Sequence, residues 1–241
     1  GEISKLRRYA EAPLDGAPQG RKQQCTCGAV NIWHCPLWQQ VDALLTQRGN
    51  TGLRDLDVAT NNRRRFRQDN TRLYQAVLNV TGKRFVVDSS KSVRRLQMLM
   101  EIDDINVQPV FLYRQPHGQI HSMAKKYGNV DEALAINIRS NMEFLDTLRG
   151  YPFVPIRYEK LVLNPREQMQ KILEPLGLAF EERQFEWGTL PHHNLGGNAM
   201  RFSGSGELRQ DDSWRRVMEP ALIERINHAI ASLESRIAEY C

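Results

Sequence analysis

The sequence predicts an α/β fold with a parallel sheet covered by helices on both faces. Three observations carry that expectation. Short apolar strands alternate with amphipathic helices, each of the strands ends in a polar cluster, and the composition is that of an ordinary globular chain. Hydrophobic residues make up 41% of the 241 residues and charged residues 25%, which suits a single domain spanning 1–241. No apolar run approaches the roughly 20 residues needed to cross a bilayer. No signal-peptide pattern opens the chain, so a membrane span is not expected. The net charge of +5 suits an anionic ligand, yet the dense run Arg63–Arg64–Arg65 with Arg67 lies in a helical pattern and reads as a solvated face. No aromatic-interleaved basic stripe accompanies it, so nucleic-acid binding is not expected.

Residues 1–36, rich in Gly, Pro and Gln, read as irregular and cysteine-bearing. Pro36 precedes a helix over about Leu37–Gln47. A second helix runs from about Asn62 to Val80, with Phe66, Leu73, Val77 and Leu78 on one face and Gly82 placed as its C-cap. Arg84–Phe85–Val86–Val87 reads as a strand, and Asp88–Ser89–Ser90–Lys91–Ser92 as a polar turn able to cap a helix over Val93–Met100. Pro109–Tyr113 reads as the next strand. Pro116 opens a helix ending near Gly128, since proline in a first turn sacrifices no hydrogen bond. Helices over Asp131–Leu148, Asn164–Leu176 and Pro220–Tyr240 surround a third strand, Phe153–Arg157. The nucleotide-binding core is expected over 84–241.

Open parallel sheets bind ligands at the carboxyl ends of their strands, and that is where the polar clusters fall. Asp88 and Lys91 flank the first exit, either as catalytic groups or as parts of a helix cap. Arg114 leaves the second strand just before a helix N-terminus, where free amides favour an anion. Its guanidinium can grip phosphate in bidentate fashion, and Ser122 follows two helical turns on. The alternative is an arginine paired to a local carboxylate and a serine on a helix surface. Arg157–Tyr158–Glu159 closes the third exit, with Tyr158 either against a nucleobase or closing the core and Glu159 a structural partner. A loop from His192 to Arg201 contains Gly196, Gly197 and Asn198, whose backbone can approach a ligand closely. Its histidines have no acidic partner at ligand spacing and are given no metal.

Cys25–Thr26–Cys27–Gly28 and His34–Cys35 resemble a metal knuckle with His34 as a fourth ligand, but match no standard zinc signature. A Cys25–Cys35 or Cys27–Cys35 disulfide, or buried thiols, compete with that reading.

Taken together these segments resemble the sulfotransferases that use 3′-phosphoadenosine 5′-phosphosulfate (PAPS), bacterial members above all. Arg114 with Ser122 looks like the family's 3′-phosphate motif. Arg157–Tyr158–Glu159–Lys160–Leu161 with Asn164–Pro165 is similar to its Tyr-Glu-Asp-Leu…Asp-Pro segment, and Gly197–Asn198–Ala199–Met200–Arg201 with Asp211 and Trp214 to its C-terminal region. The Cys25–Cys35–Trp38 pattern is also similar to bacterial members. Gln115 and His117 depart from the family, which often has Asp and Arg there.

The resemblance implies a three-layer, P-loop-like fold whose first strand, phosphosulfate-binding loop and first helix would precede Gly1, so the chain is expected to lack them. It also implies Arg114, Ser122, Tyr158, Arg201, Gly197 and Asn198 as donor-binding residues. Lys91 would neutralise charge on the sulfuryl or leaving group, and Asp88 would take the proton of an acceptor hydroxyl or amine. PAPS would be the co-substrate and adenosine 3′,5′-bisphosphate the product, with no metal required. The acceptor would be a small molecule or carbohydrate, and the setting the bacterial cytoplasm. A non-catalytic nucleotide-binding module and a P-loop kinase-like phosphotransferase remain as alternatives.

Overall fold

The computed structural model describes residues 3–12, 14, 24–49, 51–190, 192–195, 199–202 and 208–240. They form two compact units, residues 1–107 with 185–206 and residues 108–184 with 207–241.

The first unit is helical. A short helix, α1 (Leu6–Ala10), precedes α2 (Pro36–Gly49), α3 (Arg63–Thr81) and α4 (Val93–Met100). Helix α3 starts where the Asn62 side chain accepts the N–H of Arg65 at 3.0 Å and stops at Gly82, whose φ of 62° is left-handed. Glycine adopts that conformation without a Cβ clash. Val41 and Leu45 of α2 and Leu73 of α3 bury their side chains in one cluster with Leu53, Cys25 and Cys35. Phe66 and Tyr74 pack in another with Met98 and Leu99 of α4. The basic run at the start of α3 is met by acids: Arg63 pairs with Glu101, Arg65 with Asp69, and Arg67 with Asp103 at 2.9 Å. Three of its four arginines are thereby paired, and Arg64 is exposed to solvent.

The expected strand Arg84–Val87 does not form. Phe85 is 43% and Val87 80% exposed, and the segment joins no ladder. Apolar character alone does not make a strand, because an unpaired extended segment leaves its backbone groups to water.

The second unit holds the sheet found among the described residues: β1 (Val110–Tyr113) and β2 (Val154–Arg157), parallel, with Val110 opposite Val154 and Tyr113 opposite Arg157. Parallel strands need a long crossover, supplied by α5 (Pro116–Tyr127) and α6 (Val130–Leu148). Asn129 caps α6 by accepting the N–H groups of Asp131 and Glu132. Helix α7 (Tyr158–Leu163), which the sequence pattern does not predict, leaves β2 directly, and α8 (Pro165–Leu173) and α9 (Pro220–Ala238) follow. Proline opens α5, α8 and α9, as it does α2.

Side chains alternate along β1, with Phe111 and Tyr113 buried and Val110 and Leu112 exposed. Ile120 of α5, Leu134 of α6, Trp214 and Met218, and Ile226 and Ile230 of α9 form the main buried cluster of this unit. Glu234 of α9 ties down both strand ends, accepting from the Tyr113 hydroxyl at 2.6 Å and from Arg157 at 3.1 Å. The architecture is therefore α/β, mostly helical, around a small parallel sheet. Among the described residues no helix is long and apolar enough to cross a membrane.

Ile226 is fully buried, so Ile226→Ala should cost about 2–5 kcal/mol of stability, read from chemical denaturation. A loss no larger than that of the exposed Leu163→Ala would show that this cluster is not a packed core.

Candidate functional site

Parallel pairing in register brings the carboxyl ends of β1 and β2 side by side, so the residues that leave them meet. Arg114 follows β1 and Tyr158 follows β2. The Arg114 guanidinium carbon lies 4.8 Å from the centre of the Tyr158 ring, a cation–π distance. Glu159 joins the two exits through the backbone, accepting the N–H of Gln115 at 2.9 Å. It is the structural partner its position suggested. The Tyr158 hydroxyl donates to the carbonyl of Arg209 at 3.1 Å, which fixes the ring against the returning chain.

Arg114 also donates through Nη2 to the Asp211 carbonyl at 3.0 Å and to its carboxylate at 3.2 Å. The carboxylate pairing, one of the two alternatives read from the sequence, is thus present. The same side chain stands at a helix N-terminus beside an aromatic ring. Among the described residues every hydrogen bond of Arg114 comes from Nη2, although the guanidinium has five N–H donors. Asp211 is more than half exposed. Ser213 donates to it from hydroxyl and backbone, and together with Arg114 holds its carboxyl below the usual carboxylate range.

Gly118 explains why the guanidinium can lie over the first turn of α5. A Cβ there would come within 2.9 Å of Arg114 Nη2 and 3.2 Å of the Trp214 ring. Nothing in the sequence pattern singles Gly118 out, since an isolated glycine in a helix is uninformative without knowing what packs on it. Ser122 lies further along α5 and is exposed.

His117 departs from the expected pattern for a packing reason. It is 1% exposed and stacks on Trp214 with ring centres 4.5 Å apart and planes 15° apart. Burial pushes its pKa below the ordinary value, and the charge of Arg215 adds to that effect.

Asp88, Lys91 and Arg201 belong to the first unit. Asp88 is built into a buried network. Its Oδ1 accepts the N–H of Ser90 at 2.9 Å, and its Oδ2 accepts from Arg95 Nε at 2.8 Å and from the Tyr74 hydroxyl at 2.9 Å. Arg95, 5% exposed, also donates to Asn70 at 2.7 Å and to the Val58 carbonyl. Burial works against the Asp88 charge, but Arg95 and the bonds from Ser90 outweigh it and hold the carboxyl below its usual range. That environment argues against the proton-accepting role expected for Asp88, because a carboxylate so stabilised is a weak base. Arg95 escapes a sequence reading because it looks like a helix-surface arginine. Its signal is the spacing, three and four residues before the buried Met98 and Leu99.

Lys91 is exposed, immediately before Ser92, which caps α4. Arg201 donates to the carbonyl of Gln24 at 3.1 Å and lies over the Phe202 ring. Gly197 and Asn198 lie outside the described residues. A cavity of about 370 Å³ is lined, among the described residues, by Arg7, Ala10, Glu11 and Arg54, none of them an expected site residue.

The cysteines converge with a histidine other than the expected one. Cys35 Sγ lies 3.6 Å from Cys25 Sγ, 3.7 Å from Cys27 Sγ and 3.2 Å from His193 Nδ1. His34 instead turns to the Asn31 side chain, 2.9 Å away. A hydrogen bond from the Cys25 thiol, with others from Trp38 N–H and His193, lowers the pKa of Cys35 to about 5.

No protein-family model matches the chain, no curated protein matches it, and no solved structure matches it.

The depressed pKa of His117 fixes a sign. Above the ordinary value of 6.5 the ring is neutral folded and unfolded. Below it the unfolded chain takes up a proton that the native ring resists, so stability falls as pH drops. His117→Phe should remove that part of the loss between about pH 7.5 and 5 in denaturation midpoints. Equal losses in both proteins would refute it.

Proposed function

We propose that the ends of β1 and β2 form a binding site for the 3′-phosphate of an adenine nucleotide, and that the chain belongs to a PAPS-dependent sulfotransferase of P-loop-like fold. The observation that carries the proposal is the Arg114 guanidinium, held between the Tyr158 ring and the first turn of α5 with Nε and Nη1 free of hydrogen bonds among the described residues. A phosphate there would meet a planar charged fork and the N-terminal amides of α5, two anion-binding devices that reinforce each other. The exposed Asp211 carboxylate now meets that charge, and a doubly charged phosphate would compete for it. Tyr158 supplies an aromatic face for the nucleoside.

In the reaction, sulfuryl transfer runs in line from the donor phosphate to an acceptor oxygen or nitrogen. Catalysis of this kind rests on positioning and on cations placed where charge collects. Arg114, and Ser122 by the resemblance, would hold the donor through its 3′-phosphate, away from the bond that breaks. Asp88 fits a different role from general base. Through Ser90 it fixes the turn that carries Lys91, and the acceptor's proton would pass to solvent water. A second reading, a nucleotide-binding module without turnover, draws support from the same commitment of Asp88 to Arg95.

Arg114→Ala should weaken binding of adenosine 3′,5′-bisphosphate by about 1.5–3 kcal/mol, the worth of a charge-assisted hydrogen bond. Gly118→Ala should weaken it too, by displacing the guanidinium, and Arg114→Lys should recover part of the affinity. Calorimetry showing unchanged affinity in Arg114→Ala would overturn the assignment.

A further inference from the structure

We propose that Cys25, Cys27, Cys35 and His193 form a closed tetrahedral site for zinc, built into the first unit independently of any nucleotide. Three sulfurs and an imidazole nitrogen, one atom from each residue, all lie within 4.8 Å of one another. The distances exclude a disulfide and fit a metal site. A disulfide requires about 2.05 Å between sulfurs, whereas Cys35 Sγ stands 3.6 Å from Cys25 Sγ and 3.7 Å from Cys27 Sγ. Four ligands around a zinc ion with Zn–S near 2.3 Å have sulfurs about 3.8 Å apart, the edge of the tetrahedron. The cluster matches the second value.

The backbone holds these donors together by itself. Cys25–Thr26–Cys27–Gly28 is a tight turn, with Gly28 at φ 94° and its N–H donated to the Cys25 carbonyl at 3.0 Å. Cys25 pairs with Leu195 in an antiparallel bridge. The Thr26 N–H donates to the Asn194 carbonyl at 3.2 Å, and its hydroxyl to the His192 carbonyl at 2.6 Å. The Trp38 indole donates to the carbonyl of His193 itself at 3.2 Å. Residues 192–195 are thus clamped on the turn, and Cys35 sits directly before α2, whose Trp38 N–H donates to its sulfur.

Three thiolate sulfurs and one imidazole are a donor set that selects zinc over the hard cations. With four protein ligands no position is left for substrate, so the site is structural rather than catalytic. Cys25 and Cys35 are fully buried while Cys27 is exposed, which leaves one ligand open to incoming metal. Each thiol that coordinates as a thiolate releases its proton to solvent, and no oxidation occurs.

The test uses the whole chain and metal salts alone. The reduced, metal-free chain should bind one equivalent of Zn²⁺ with a raised thermal midpoint. With Co²⁺ it should show the intense visible bands and thiolate charge-transfer of a tetrahedral sulfur-rich site. Zinc should also protect Cys27 from alkylation in the unmutated chain. His193→Ala and Cys27→Ser should each weaken zinc binding at least about tenfold, whereas His34→Ala should not. Absence of the cobalt bands, alkylation of Cys27 at the same rate with and without zinc, or a disulfide among the three cysteines in zinc-treated protein would each overturn the proposal. Equal loss in His34→Ala and His193→Ala would overturn the ligand assignment.

Discussion

Arg114 leaves β1 as a charge that the strand cannot accommodate, and the surrounding chain is arranged around meeting it. The parallel register of β1 and β2 sets Tyr158 beside it. Glu159 pins the two strand exits through the backbone of Gln115, and Gly118 removes the one side chain that would push the guanidinium off α5. Asp211, brought back by the segment that also buries Trp214, supplies the countercharge. Among the described residues the sheet has two strands, and Glu234 of α9 holds Tyr113 and Arg157 at those ends. An exposed ion pair of this kind contributes little to stability. Its chemistry is better suited to exchanging one anion for another, and the proposed nucleotide site rests on that.

Charge is handled in the opposite way around Asp88. There the pair with Arg95 is buried, and Asn70, Tyr74, Val58 and Ser90 bond to its two members. Removing one member would strand a buried charge, which is why such networks are rigid. The contrast separates the proposed binding site from a network that holds a turn, although both are an arginine with an aspartate.

Much of this was legible in the sequence, and the reasons for the rest are physical. Helices with caps and proline starts fall within a residue or two of their expected places: Asn62 and Gly82 bound α3, and Pro116 and Gly128 bound α5. Local chemistry sets those boundaries. Arg84–Val87 misled because strand formation depends on a partner the segment does not contain. Gly118 and Arg95 escape the sequence, and His193 is given no metal there, for a related cause. Each takes its meaning from a group far along the chain: the first lies under Arg114 and Trp214, the second binds the carbonyl of Val58, and the third meets cysteines more than 150 residues earlier. His34, adjacent to Cys35 in sequence, was the natural candidate ligand, yet Asn31 holds it and the fold delivers His193 instead.

The most direct measurement of the central claim compares two nucleotides that differ only in the group Arg114 is said to hold. Calorimetry on the unmutated chain should show adenosine 3′,5′-bisphosphate binding at least about tenfold more tightly than adenosine 5′-phosphate, the equivalent of one charge-assisted contact. Equal affinity for the two, or binding of neither, would contradict a 3′-phosphate site at the ends of β1 and β2.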